Sequence, residues 1–164
     1  MGAAYALPMI DAASLFMTLS LVFGMSPQLA ANIAEQAPIA AAESRAPDWT
    51  MRATLYHQGG GGAGPRDSLG CPPIPLRTAA TDRGVAPRRS IIFIRQTVGI
   101  PLPNGGRHNG LWYVSDVGPA VRGHHIDLFT GMGRRSMDPI MHLNVSNVDI
   151  VRMGTFEGCP PSDS

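Results

Sequence analysis

The stretch Gly110–Thr130, GLWYVSDVGPAVRGHHIDLFT, decides how the rest of the chain is read. Gly110–Ser115 has the β-branched and aromatic content of a strand, Gly118–Gly123 is a glycine-flanked turn, and His124–Thr130 resumes as a second strand. Asp116 falls at the end of the first strand and Asp127 inside the second, between Ile126 and Leu128. Side chains alternate along a strand, so Asp127 shares a face with His125 and Phe129 while Ile126 and Leu128 point the other way. A carboxylate in so apolar a strand is costly unless it is paired or protonated. Desolvation of this kind raises a carboxyl pKa and suits the group to general acid catalysis.

Working outward, Met51–Tyr56 alternates Met51, Ala53 and Leu55 with Arg52, Thr54 and Tyr56, which predicts a first strand. The glycine run Gly59–Gly62 is followed by Pro65 and Arg66, with neither the lysine nor the helix start that a phosphate-binding loop needs. It reads as a flexible loop. Pro75–Thr81 predicts a short second strand, Ser90–Thr97 (SIIFIRQT) the clearest one, and Asn147–Met153 the last. Pro101–Gly110 is turn chemistry, and Ser136–Leu143 predicts a short helix capped by Ser136, with Asp138 and Pro139 in its first turn. Six short strands and one small helix predict a mainly β domain. A closed barrel, which removes unpaired strand edges, is the favoured arrangement, with a sandwich as the alternative.

The 164 residues allow one compact domain and a tail. With 44% hydrophobic and 15% charged residues the chain is too apolar for a disordered protein. Its thirteen basic residues are all arginine, spread from Arg45 to Arg152, and the net charge is +1. That argues against a nucleic-acid partner, which requires a concentrated basic surface. Ala12–Met25 (AASLFMTLSLVFGM) is uncharged and apolar, too short to span a bilayer comfortably, and reads as a secretory h-region. An uncleaved membrane anchor and an amphipathic helix are the alternatives. The expected domains are residues 1–48, signal peptide or anchor plus an Ala/Pro-rich linker; 49–156, the β-domain; and 157–164, a flexible C-terminal tail. Cys71 and Cys159 each sit in a Gly-Cys-Pro-Pro tetrapeptide; in an oxidising compartment they are expected to pair, the alternative being two free thiols. His124 and His125 point to opposite faces, and His57, His108 and His142 lack ligand spacing, so no metal is expected, nor any cofactor.

The pattern Asp116-x-Gly118-x-Ala120-x-x-Gly123-x-x-x-Asp127-Leu128-Phe129 resembles the signature of the 3D domain, named for three aspartates, and of the related MltA-type membrane-bound lytic murein transglycosylases. Asp82 would be the third aspartate. One departure is Gly118-Pro119, where the family usually has a glycine pair. The resemblance implies a six-stranded double-psi β-barrel in the cell envelope, periplasmic or at the outer membrane. It implies cleavage of the β-1,4 bond between N-acetylmuramic acid and N-acetylglucosamine without water, leaving a 1,6-anhydro end. One carboxyl group serves both steps, unlike the carboxylate pair of ordinary glycosidases. On this reading Asp127 is the acid/base, with Asp116 and Asp82 as further catalytic candidates. Gly118, Arg122, Gly123, His125 and Tyr113 are the candidate glycan-binding residues, Tyr113 as a ring to stack on sugar and Arg122 as a contact for an acidic group. Peptidoglycan strands are the expected partner, with membrane association through the N-terminal segment. The larger transglycosylases carry a second domain that completes the glycan groove, which a chain of this length is not expected to supply. A non-catalytic wall-binding or wall-loosening module is therefore the alternative.

Overall fold

The computed structural model describes residues 26–60 and 62–162; the apolar run Ala12–Met25 lies outside them. The chain divides after Ala41 into two compact units, residues 1–41 and 42–164. Where a linker was expected there is a helix, α1 (Pro27–Ser44). Alanine is the strongest helix former, and an alanine-rich segment holds the helix although Pro38 removes one backbone donor from its interior. Among the described residues no helix is long and apolar enough to cross a membrane.

The second unit is mainly β. Its strands are β1 (Trp49–Gln58), β2 (Gly62–Ala63), β3 (Thr78–Thr81), β4 (Ser90–Ile94), β5 (Leu111–Asp116), β6 (His125–Met132) and β7 (Ser146–Thr155). They form one mixed sheet in the order β2-β1-β6-β3-β5-β4-β7, and β7 pairs back onto β1. Six strands thus close a ring, with the two-residue β2 appended to the end of β1. The pairs β1–β6 and β3–β5 are parallel; the other contacts within the ring are antiparallel. The ring interior is filled by Met51 and Ala53 of β1, Ile92 and Ile94 of β4, Trp112 and Val114 of β5, Ile126 and Leu128 of β6, and Val148 and Ile150 of β7. Alternation therefore turns Thr54, Tyr56, His125, Asp127 and Phe129 to the outer face.

Several expected segments are redrawn. Pro75–Thr81 is strand only from Thr78: Leu76 has φ +57° and the Arg77 N–H donates to the Ile74 carbonyl, so a turn occupies the first half. Ser90–Thr97 stops at Ile94 and continues as a 3-10 turn, Arg95–Thr97, in which the Thr97 hydroxyl donates to the Ile94 carbonyl. The expected helix Ser136–Leu143 is a 3-10 segment, Arg134–Leu143, interrupted at Ile140. The glycine loop includes the short strand β2, in register with His57 and Gln58 of β1. The segment from residue 157, expected as a flexible tail, is fastened: Cys159 is bonded to Cys71, Pro160 is buried, and the Arg89 guanidinium donates to the Gly158 carbonyl at 2.7 Å.

Candidate functional site

The register of four strands lays one row across the outer face. Thr54 of β1 lies opposite Asp127 of β6, Asp127 opposite Ala80 of β3, and Ala80 opposite Asp116 of β5. The two aspartates therefore flank a single methyl group, their backbones about 10 Å apart at the usual strand spacing. Above the row, Val117–Val121 forms one wall of a cleft of about 250 Å³, lined also by Tyr56, Gly62, Ala80, Asp116 and Asp127.

The two carboxyl groups differ in their surroundings. Asp116 Oδ1 accepts from the backbone N–H groups of Ser68 (3.0 Å) and Val117 (2.9 Å), and Oδ2 accepts from the Tyr56 hydroxyl at 2.9 Å. A side chain so fully engaged braces the cleft: it ties β5 to the loop before Cys71 and to β1. Asp127 is half-buried and accepts one hydrogen bond among the described residues, from the Thr54 hydroxyl to Oδ1 at 3.0 Å. Burial pushes its carboxyl above the usual range; the Thr54 bond and the charge of His125 oppose the shift, and the charge of Asp116 adds to it. Asp116 thus reaches Asp127 through charge, and no hydrogen bond joins the two among the described residues. Burial and the neighbouring Asp116 hold the Tyr56 phenol protonated far beyond the ordinary range, so it serves as a hydrogen-bond donor.

Asp82 stands elsewhere. Its Oδ1 accepts from the Gly84 N–H and its Oδ2 from the Gly123 N–H, at 2.9 and 2.7 Å, and these bonds lower its pKa. It lines a second cleft of about 360 Å³ with Thr81, Arg83, Arg122 and the shared wall Val117–Pro119. Of the glycan-binding candidates, Gly118 faces both clefts and Arg122 the second. At Gly118 an added Cβ would lie 2.8 Å from Val121 Cγ2, so the wall closes tightly only with glycine there. Three candidates are displaced. Tyr113 is 5% exposed, edge-on to Phe156, and presents no face to a sugar. Gly123 donates to Asp82 and braces the turn. His125 does not line the cleft; its Nε2 lies 2.8 Å from the Thr54 hydroxyl.

Thr54, Tyr56 and Ser68 were not singled out in the sequence. The alternation of β1 puts Thr54 and Tyr56 on the polar side of the strand, but only the parallel pairing of β1 with β6 brings that side to Asp127. Ser68 is a loop residue with no periodic signal.

A closed β ring carries a cleft with one desolvated and one fully hydrogen-bonded aspartate, and the segment Asp116–Phe129 that holds both carries the seven residues of the three-aspartate pattern. Residues 77–139 match the family model of the 3D domain, a span containing Asp82, Asp116 and Asp127. No curated protein matches the sequence. Similar solved structures include MltA from E. coli (22% identity, 57% of this chain and 29% of that one, TM-score 0.41). Others are the lytic transglycosylase LtgG of Burkholderia pseudomallei (27% identity, 54% and 25%, TM-score 0.39) and MltA from Neisseria gonorrhoeae (20% identity, 57% and 22%, TM-score 0.42). The chain spans less than a third of the length of each of these three.

Proposed function

We propose that this chain is an exported peptidoglycan lytic transglycosylase in which Asp127 is the single acid/base. The observation that carries the reading is the environment of Asp127: a carboxyl group in an open cleft, its pKa raised by burial, with one hydrogen bond from Thr54. Such a group holds a proton at a pH where an ordinary carboxylate has lost it. In the first step Asp127 gives that proton to the glycosidic oxygen as the bond to C1 of N-acetylmuramic acid breaks, releasing the N-acetylglucosamine hydroxyl. In the second, the muramoyl 6-hydroxyl attacks C1, forming the 1,6-anhydro bridge, and its proton returns to Asp127. No water is consumed.

Asp116 fixes the cleft and supports the raised pKa through its charge, and Asp82 orders the wall that bears Gly118 and Arg122. The ring's two parallel pairs, β1–β6 and β3–β5, support reading it as a double-psi barrel. The disulfide supports an oxidising compartment, in keeping with the periplasm or outer membrane. The apolar N-terminal run would supply export or membrane attachment.

Purified protein incubated with peptidoglycan sacculi is expected to release soluble muropeptides, and Asp127→Asn to lower the rate by about 10²–10⁴-fold, the usual worth of a general acid. Co-sedimentation with sacculi that is unchanged by Asp127→Asn and yields no soluble product would contradict catalysis and leave a wall-binding module.

A further inference from the structure

The reading of Asp127 as an acid leaves open how its two oxygens are told apart, and the outer face of β1 and β6 supplies an answer. Thr54 Oγ1 stands between two partners, His125 Nε2 at 2.8 Å and Asp127 Oδ1 at 3.0 Å. A hydroxyl has one proton to donate. Given to Asp127, it leaves Oγ1 as an acceptor only, and the group on its other side must then be an N–H. In that orientation His125 carries its proton on Nε2. The Asp127 oxygen that accepts from Thr54 is a carboxylate or carbonyl oxygen in either protonation state, which leaves the exchangeable proton to Oδ2. His125 itself does not line the cleft; apart from its charge, it reaches Asp127 through the Thr54 hydroxyl.

We propose that His125 is a positioning residue: by donating Nε2–H to Thr54 it fixes the Thr54 proton on Asp127 Oδ1 and assigns the exchangeable proton to Oδ2. The inference rests on Asp127 being the acid of the proposed reaction. The reversed orientation, with Thr54 donating to an unprotonated Nε2, would leave Thr54 Oγ1 to accept from a protonated Asp127 and so place the exchangeable proton on Oδ1. Other ionisable groups lie on the elements packed against the relay, and the 3-10 segment Arg134–Leu143, which packs on β1 and β6, brings Arg134, Arg135, Asp138 and His142. On β1 these are Arg52, in register with His125, and the protonated Tyr56; on β5 there is Asp116; β3 contributes no ionisable residue. Asp116 raises the Asp127 pKa, whereas the Thr54 bond and a positive charge on His125 both lower it. Breaking the relay must therefore move Asp127 upward.

The test uses the full chain without substrate. ¹⁵N NMR of the unmutated protein is expected to show neutral His125 protonated on Nε2 with a bare Nδ1; the opposite tautomer overturns the proposal. ¹³C NMR titration of the Asp127 carboxyl is expected to move up by about 0.5–1 pH unit in Thr54→Val and in His125→Ala, the size of one hydrogen bond. Thr54→Ser is expected to restore the midpoint, and His125→Gln, which keeps an N–H donor without a charge, to restore part of it. A midpoint unmoved in folded Thr54→Val and His125→Ala overturns the relay. Because both spectra are read without turnover, a failure to cleave sacculi would sink the proposed function and leave these results standing, while an unmoved midpoint in an active enzyme would sink the relay alone.

Discussion

At Asp127 burial works against the Thr54 hydrogen bond and the influence of His125, and burial prevails. The consequence for stability has a definite sign. The folded-state pKa lies above the value in the unfolded chain, so between the two values the folded state binds more protons and stability falls as pH rises. The contribution is fully present below the unfolded value of about 3.9 and is lost as pH climbs through the folded one. Asp127→Asn keeps an oxygen to accept from Thr54 and removes the ionisation. It is expected to melt higher than the unmutated protein at neutral pH, with the gain vanishing below about pH 4; equal melting temperatures across that range would mean that Asp127 is not desolvated. The charge that makes Asp127 a candidate acid was legible in the sequence, because Ile126 and Leu128 announce an apolar strand on either side. Its partner Thr54, 73 residues away in the chain, was not.

Between elements, what assembles the site is register. One row of residues, Thr54, Asp127, Ala80 and Asp116, comes from β1, β6, β3 and β5; a slip of one residue in β1, β6 or β3 would turn its member to the inside of the ring, and a register shift between β3 and β5 at Ala79/Ala80 brings Asp116 into the row although Trp112 and Val114 face inward. Tyr56 spans the row from β1, donating to Asp116 and packing against Phe129 with ring centroids 5.3 Å apart. Tyr56→Phe removes that donor and leaves Asp116 Oδ2 without it. The expected loss is about 1–3 kcal/mol in urea denaturation with an unchanged m-value, the range for a hydrogen bond to a charged group. A loss below about 0.5 kcal/mol, the low end for any hydrogen bond, would mean that water replaces the phenol. The strands themselves were largely readable from alternation and from glycine and proline punctuation. Their pairing was not: β1 and β6 are parallel and non-consecutive, and nothing local in Met51–Tyr56 records which strand it will meet. The misread half of Pro75–Thr81 has a tertiary cause, since a turn at Leu76 with positive φ is disfavoured for leucine and is imposed by its surroundings, the Leu76 N–H donating to the Phe129 carbonyl of β6.

For the whole molecule, the disulfide joins residues 88 apart and fastens the C-terminal segment beside the loop that holds Asp116. Asp67 Oδ1 accepts from the N–H groups of Leu69 and Cys71, and the Ser68 N–H next to it donates to Asp116. Closing a loop of that length is worth about 4–5 kcal/mol in the chain-entropy model. The double variant Cys71→Ser with Cys159→Ser is expected to lose stability on that scale by chemical denaturation; an unchanged midpoint would show that the tail contributes nothing to the fold. The pairing was one of two readings of the cysteines, whereas the helix Pro27–Ser44 ran against the proline signal that suggested a linker. Both cases show composition naming the candidates and three-dimensional context choosing between them. The proposed mechanism joins the scales: a ring sets the register, the register buries one aspartate in part, and that aspartate is proposed to break a glycosidic bond with no water. The mass of the released product tests it most directly. Mass spectrometry of muropeptides freed from sacculi is predicted to show fragments lighter by one water than the hydrolysis product, with no label incorporated when the reaction runs in H₂¹⁸O, and to show none with Asp127→Asn. Fragments of full hydrolytic mass carrying ¹⁸O, or anhydro fragments released equally by Asp127→Asn, would contradict it.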